Sequence, residues 1–547
     1  MSVHEADSFL RELVSAPTRT PTLVATIFLI LLLLILGAPR RYLDDDKVHP
    51  GLEIVGMRPG DTVSQAKQRY AEHSRSILDE ATAKACYSRR CSQEMLFVLR
   101  KPFQVLTPTG PLIVLPAKHL DEIKSHRDLS FHETIAKSFF IRLPGISIAG
   151  GMIGFRFIVE HDDVFNEVVR VNLTSRIGKL TAALATEAAL AIKQGFSPSK
   201  DWTPIVLYPA AVHLVARLSA RVFLGESAAR DESWLRISTE YAHYVIPFVR
   251  ALRSWPPAMR PFVQHLLPER RRLRACEAQA RRLIAALAEK SGNSDDALHW
   301  QEEVSRKHGK DTDVAAGQLA LSLVAVHTTS MALTRVMFDL CEHPEWIEPL
   351  RDEVRRALAE EGDDGVWTKS TLMRMRLMDS VLKESQRLNP VHLTLMTRIA
   401  TADVVLPSLP DLSIPAGSML AVSTSEALRD PTTFPDPDSF IGDRFLRLRE
   451  ESSSAAATPA GTESRSGNKW QYATTSTQHI GFGHGAHACP GRFFAAAELK
   501  VALAHLLLAY DWRFEEGHSG GNIEVAQDIV PNPGAVVCFR DRREGRP

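Results

Sequence analysis

No charge of one sign dominates this chain. Its 65 Lys and Arg balance 65 Asp and Glu over 547 residues. That argues against a nucleic-acid partner, which usually calls for a basic excess. The most basic run, Arg270–Arg274, reads as the solvated face of a helix. Cysteine is also scarce. Six residues (Cys86, Cys91, Cys276, Cys341, Cys489, Cys538) in so long a chain do not suggest a disulfide framework. Cys86 and Cys91 lack a second Cys/His pair at zinc spacing, so they read as structural. No Gly-x-Gly-x-x-Gly follows a strand-like run, which argues against a built-in flavin or nicotinamide domain. Internal repeats are not visible, and long hydrophobic runs are missing with one exception.

The exception is Leu23–Leu36, LVATIFLILLLLIL, inside the charge-free span Thr20–Pro39. A helix of about 20 residues crosses a bilayer core, so this span predicts a membrane anchor. A cleaved signal peptide competes with that reading. The run is long for such a segment, and Gly-Ala-Pro-Arg-Arg follows it instead of a small-x-small site. A buried core helix fits poorly with apolarity on every side near a terminus. Arg40, Arg41 and Lys47 after the run, against Arg11 and Arg19 before it, place the C-terminal side in the cytoplasm.

Downstream, helical periodicity dominates and strand signals are short. The spacing predicts helices over Asp61–Ala85, Val164–Lys193, Ala211–Phe223, Arg270–Lys290, Asp313–Cys341, Leu372–Leu388 and Phe493–Tyr510. Phe103–Leu106 and Leu112–Leu115 read as a hairpin, and Val404–Leu406, Met419–Val422 and Ala535–Phe539 as strands. The expected fold class is mainly α with small β-sheets (α+β). The expected organisation is a short segment 1–19, an anchor 20–39, a linker 40–60 and a catalytic domain 61–547. The stretch Glu451–Lys469, rich in Ser, Ala, Thr and Gly, reads as a flexible surface insertion.

The stretch that carries chemistry is Phe482–Arg492, FGHGAHACPGR, before a helical run. Gly483 and Gly485 permit a tight loop whose backbone can approach a flat cofactor. Amides past Cys489, at the start of the next helix, favour a negative sulfur. Pro490 suits a first helical turn. Taken alone, a cysteine before a helix is more often a small buried hydrophobe.

Phe482, Gly485, Cys489 and Gly491 match the pattern Phe-x-x-Gly-x-(Arg/His)-x-Cys-x-Gly, and the chain so resembles the cytochrome P-450 superfamily. The resemblance extends to filamentous-fungal members of secondary metabolism and covers roughly Asp45 to the C-terminus. It implies the cytochrome P-450 fold with an N-terminal transmembrane helix, haem b as cofactor and Cys489 as the axial thiolate on iron. His487 stands where the family usually has a basic residue at a haem propionate, and Arg398 resembles the family's propionate-binding arginine. Glu384 and Arg387, three apart on one helix face, resemble the Glu-x-x-Arg signature, with Arg444 as third member of a buried structural triad. In Val324–Thr329, Thr328 aligns with the threonine that helps deliver protons to dioxygen. His327 replaces the usual acidic neighbour; it reads equally as a proton relay or as a packing residue.

The resemblance further implies a separate NADPH–cytochrome reductase as partner, with NADPH used only through it. It places the protein as a single-pass protein of the endoplasmic reticulum membrane, with a cytosolic catalytic domain. Segments Phe139–Val159 and Tyr241–Leu267 are the expected pocket walls, and the first is apolar, which suits a lipophilic substrate held by shape. Hydroxylation or further oxidation of a terpenoid-like or polyketide-like intermediate is the expected activity. Alternatives are haem-thiolate isomerase, dehydratase or peroxygenase chemistry without a reductase, and a non-catalytic haem-binding sensor.

Overall fold

A computed structural model describes residues 47–84, 101–146, 151–196, 200–291, 295–361, 366–455 and 467–542. The predicted anchor at 20–39, Cys86, Cys91 and residues 456–466 of the low-complexity stretch lie outside them. Helices predominate. Those used below are α1 (Val63–Lys84), α2 (Phe131–Ser138), α3 (Ile153–Glu160), α4 (Thr174–Gly195), α5 (Leu207–Phe223), α6 (Glu232–Arg253), α7 (Pro268–Ser291), α8 (Val314–Glu342), α9 (Arg376–Leu388), α10 (Arg444–Ala455) and α11 (Arg492–Ala509). The strands are β1 (Ile54–Val55), β2 (Phe103–Thr107), β3 (Gly110–Leu115), β4 (Leu129–Ser130), β5 (Thr203–Val206), β6 (Thr394–Ala400), β7 (Val404–Val405), β8 (Ser413–Ile414), β9 (Met419–Ser423), β10 (Tyr510–Phe514), β11 (Asn522–Val525), β12 (Asp528–Pro531) and β13 (Val536–Asp541).

A mixed sheet runs β1-β2-β3-β9-β6-β4, a second β10-β13-β5, and β7-β8 and β11-β12 are hairpins. The expected α+β class is therefore present. The predicted hairpin is real: β2 pairs antiparallel with β3, with Phe103 opposite Val114.

The helices pack around α8, which touches α3, α5, α6, α7, α9 and α11. Asp313 caps it by accepting from the Ala316 amide at 3.2 Å, and it ends before His343-Pro344. Among the described residues it is the one helix long and apolar enough to cross a membrane. Its apolarity has another cause, because Leu319, Leu333, Val336, Met337 and Leu340 are fully buried against the surrounding helices.

Two expectations need correction. The predicted helix Leu372–Leu388 is broken at Met375, giving Lys369–Arg374 and then α9. Glu353 accepts from the Leu377 and Met378 amides at 2.6 and 2.9 Å, so a carboxylate distant in sequence caps a new helix start. The predicted helix Val164–Lys193 is interrupted by a π-helical segment at Val168–Leu173, where the Thr174 hydroxyl donates to the Val169 carbonyl. Of the low-complexity stretch, residues 451–455 and 467–469 are described. α10 continues through Ala455, and Trp470 packs against Phe434 and Phe445 while donating to Ser452 at 3.2 Å. Helix α6 overlaps the expected wall segment Tyr241–Leu267 and starts before it; it carries Pro247 in its interior and is capped by Asp231.

Candidate active site

The loop leading to Cys489 is held by its backbone. Gly485 has φ +79°, and a Cβ there would lie 2.2 Å from the Lys124 carbonyl oxygen, so only glycine fits. That approach lets the Ala486 amide donate to Lys124 O and Ser125 Oγ, both at 3.1 Å. The Cys489 amide donates to the Phe482 carbonyl at 2.8 Å, closing the loop. Phe482 stacks edge-on against buried Tyr472, ring centroids 5.1 Å apart.

Cys489 itself is half-buried, two residues before Gly491, the N-cap of α11. Burial pushes its thiol up, while the Gly491 and Arg492 amides and the Arg492 charge pull it down. Arg492 Nη1 also donates to the Cys489 carbonyl at 2.8 Å.

Beside the loop lies a cluster of cations. Arg398 reaches it because β6 has an irregular register between Leu395 and Arg398, with Met396 in the left-handed region at φ 59°. The Met396 sulfur accepts from the His484 amide at 3.1 Å, which ties this bulge to the cysteine loop. The Arg398 guanidinium stands 5.6 Å from the Phe131 ring, and His132 stands 5.7 Å from His487. Arg170, on the π-helical segment, donates to the Ala486 carbonyl at 2.9 Å. Burial, joined by Arg398, His132 and Arg170, pushes His487 down to about 4. His487 is thus neutral near pH 7, and the permanent charges here belong to the arginines.

Behind the loop, Glu384, Arg387 and Arg444 come together as expected. Glu384 receives Arg387 through two bonds, at 2.8 and 2.9 Å, and Arg444 Nε at 3.0 Å. The Ile441 amide adds a fourth donor at 3.0 Å. Arg387 and Arg444 use their other N–H groups on the carbonyls of Leu428, Pro435, Asp436, Pro437 and Ser439. All three side chains are buried, so one carboxylate with its two arginines clamps α9 to residues 428–444.

The remaining two predicted residues lie on α8. Val324 and Thr328 are exposed midway along a helix otherwise largely buried, so an open face interrupts the core there. The Thr328 hydroxyl donates to the Val324 carbonyl at 2.7 Å. His327 turns toward α6, where Nε2 lies 3.0 Å from the Thr239 carbonyl. Burial and the neighbouring His243 lower its pKa.

Two observations say what this site can hold. Arg398 Nε is buried without a partner, and so is Arg492 Nε. An unsatisfied buried guanidinium N–H is costly, and an anionic ligand group beside it would remove that cost. A thiol at a helix start, facing a set of cations, suits a flat cofactor that carries both a metal and carboxylates.

Comparison with known proteins decides the class. The family described as cytochrome P-450 matches residues 241–539, over half of the chain. The chain belongs to the cytochrome P-450 family. It is 37% identical to cytochrome P-450 monooxygenase 1 of Gibberella fujikuroi, over 81% of this chain and 98% of that protein. Identity to cytochrome P-450 monooxygenase adrA of Penicillium rubens is 32%, covering 90% of this chain and 91% of the relative. With cytochrome P-450 monooxygenase hepE of Aspergillus oryzae it is 38%, covering 82% and 80%.

In this P-450, Cys489, Phe482, Gly485, His487 and Arg398 form one neighbourhood, and the triad stands directly behind it. Sequence reasoning missed Arg170, His132 and Met396. Arg170 lies 316 residues from its partner Ala486 and belongs to no spacing motif, so no sequence signal marked it. Ile141, Leu143 and Ile146 are core residues, while Phe139 stacks on Phe155, centroids 3.7 Å apart.

Proposed function

We propose that this cytochrome P-450 is a haem-thiolate monooxygenase, in which Cys489 ligates the iron of haem b. The observation that carries the reading is the half-buried Cys489 at the start of α11, with the unpaired Arg398 Nε beside its loop. Arg398 and His487, with Arg170 and His132, would hold the haem propionates. Neutral His487 would do so as a hydrogen-bonding group, with the charge supplied by the arginines. When bound, the haem supplies dioxygen activation, using electrons that a separate NADPH–cytochrome reductase provides.

The chain's own residues do the rest. The amides of Gly491 and Arg492 stabilise negative charge on Cys489 Sγ. Glu384, Arg387 and Arg444 keep α9 and residues 428–444 fixed behind the loop and touch no reacting atom. Thr328 Oγ holds the proton nearest the open face of α8. Because that hydroxyl donates to Val324 O, its oxygen lone pairs point outward as acceptors for water or substrate-side donors. His327 is the adjacent titratable group on the same helix.

The substrate we propose is a lipophilic intermediate of secondary metabolism, terpenoid-like or polyketide-like. The apolar residues of α3 and α8 and the fungal relatives support this. Anchoring by residues 20–39 in the endoplasmic reticulum membrane would set the reductase and the catalytic domain on one face. The test is turnover with NADPH and reductase under labelled dioxygen. Product carrying the label supports the reading; unlabelled product formed without reductase overturns it.

A further inference from the structure

The open face of α8 and one face of α6 meet at two histidines. Thr239 and His243 are four apart on α6 and so share a side of that helix. His327 faces them, its ring 5.9 Å from that of His243. A carbonyl oxygen has no proton to give, so the contact at Thr239 O requires the N–H of His327 to be on Nε2. Burial keeps this imidazole neutral, and Nδ1 must then be a bare acceptor. Nδ1 has no partner among the described residues and is not sealed from solvent. On the same helix, Val324 one turn earlier and Thr328 next in sequence are exposed. His243 is also exposed and has no hydrogen-bond partner among the described residues. The tie to Thr239 does little for packing, because an interior helical carbonyl already accepts from the amide four residues on. Its larger consequence is that it fixes the tautomer.

We propose that His327 Nδ1, with His243 beside it, accepts a hydrogen bond from a hydroxyl group of the substrate. The protein then selects an apolar skeleton that already bears oxygen, so the reaction class upstream is one that leaves an alcohol on the carbon framework. This rests on the monooxygenase reading and deepens it by naming the substrate class.

The experiment uses the full-length, haem-loaded protein. It is titrated with matched probes on monoterpene, sesquiterpene and diterpene skeletons: the hydrocarbon, its alcohol and the alcohol's methyl ether. Binding is read from the shift of the haem Soret band. An accepted hydroxyl should make at least one alcohol bind about tenfold more tightly than its ether, the scale of one well-placed buried hydrogen bond. His327→Phe should abolish that preference, so that alcohol and ether bind alike in the variant. His327→Gln, which keeps both a donor and an acceptor, should retain part of it. His243→Phe, at an exposed position, should weaken it independently should His327→Phe fail to hold haem. Alcohols and ethers bound alike on every skeleton, or a preference that survives His327→Phe, would overturn the proposal. A normal reduced carbon monoxide band in that same protein would leave the haem-thiolate reading standing, whereas loss of the band would remove that reading itself.

Discussion

The two sides of the site are built differently. Behind Cys489, the triad is fully tied: Glu384 takes four hydrogen bonds, and Arg387 and Arg444 spend their remaining donors on carbonyls. Across α8, Val324, Thr328, His327 and His243 are open or half-open, and their polar atoms keep spare capacity. A saturated network has one arrangement, because any displaced member leaves a buried charge unpaired. An open face tolerates exchange of its side chains. The first kind of construction suits a site that must hold a cofactor the same way each time, and the second suits a wall that sets the substrate.

The comparison can be broken most severely at Cys489. Cys489→Ala should abolish the red-shifted band of the reduced carbon monoxide complex; a spectrum unchanged from wild type would remove the ligand assignment. Next comes Glu384→Gln, which leaves two buried guanidinium groups short of their counter-charge. Breaking such a pair costs about 3–5 kcal/mol, so little haem-loaded protein should accumulate, and its thermal midpoint should fall clearly. A midpoint equal to wild type would show that the network does not stiffen this side.

Gly485→Ala tests the loop itself. The positive φ and the clash with Lys124 O should cost about 1–3 kcal/mol or more, read as lost haem occupancy. On the open side, Thr328→Val should leave stability nearly unchanged. It should still lower product formed per NADPH consumed by about tenfold or more, as expected when a positioned proton-relay hydroxyl is lost. Normal coupling in that variant would take Thr328 out of proton delivery.

The smallest effect concerns Glu498 of α11, which is buried and accepts from Ser219 at 2.9 Å. Burial pushes it up from 4.5 to about 8. The folded protein therefore keeps a proton that the unfolded chain releases above 4.5. Its contribution to stability is complete below 4.5 and is lost as pH rises toward 8. Thermal unfolding of wild type and Glu498→Gln across that window should show the wild type losing stability relative to the variant as pH rises. Parallel curves would mean that Glu498 is already ionised in the fold.

How legible each part was follows from the range of its interactions. Cys489 with its glycines, and Glu384 with Arg387, are local motifs whose spacing expresses their geometry, so they could be read directly. The start of α8 was readable from Asp313, a local cap. The break at Met375 was not, because its cap is Glu353, more than twenty residues away. Arg398 could be named from its resemblance to the family, but its aim depends on the bulge at Met396. Arg170 and His132 reach the cysteine loop through tertiary packing alone.

By itself, then, the sequence determined the class of chemistry: a cysteine loop before a helix, and a charged pair one turn apart, state their own geometry at short range. Tertiary structure decided the protonation states and the partners. His487 became a neutral group among arginines because burial and their charge oppose a further cation. His327 acquired a fixed tautomer because α6 brought the Thr239 carbonyl against it. Both outcomes depend on what packs nearby from distant parts of the chain, and no local pattern of residues encodes that.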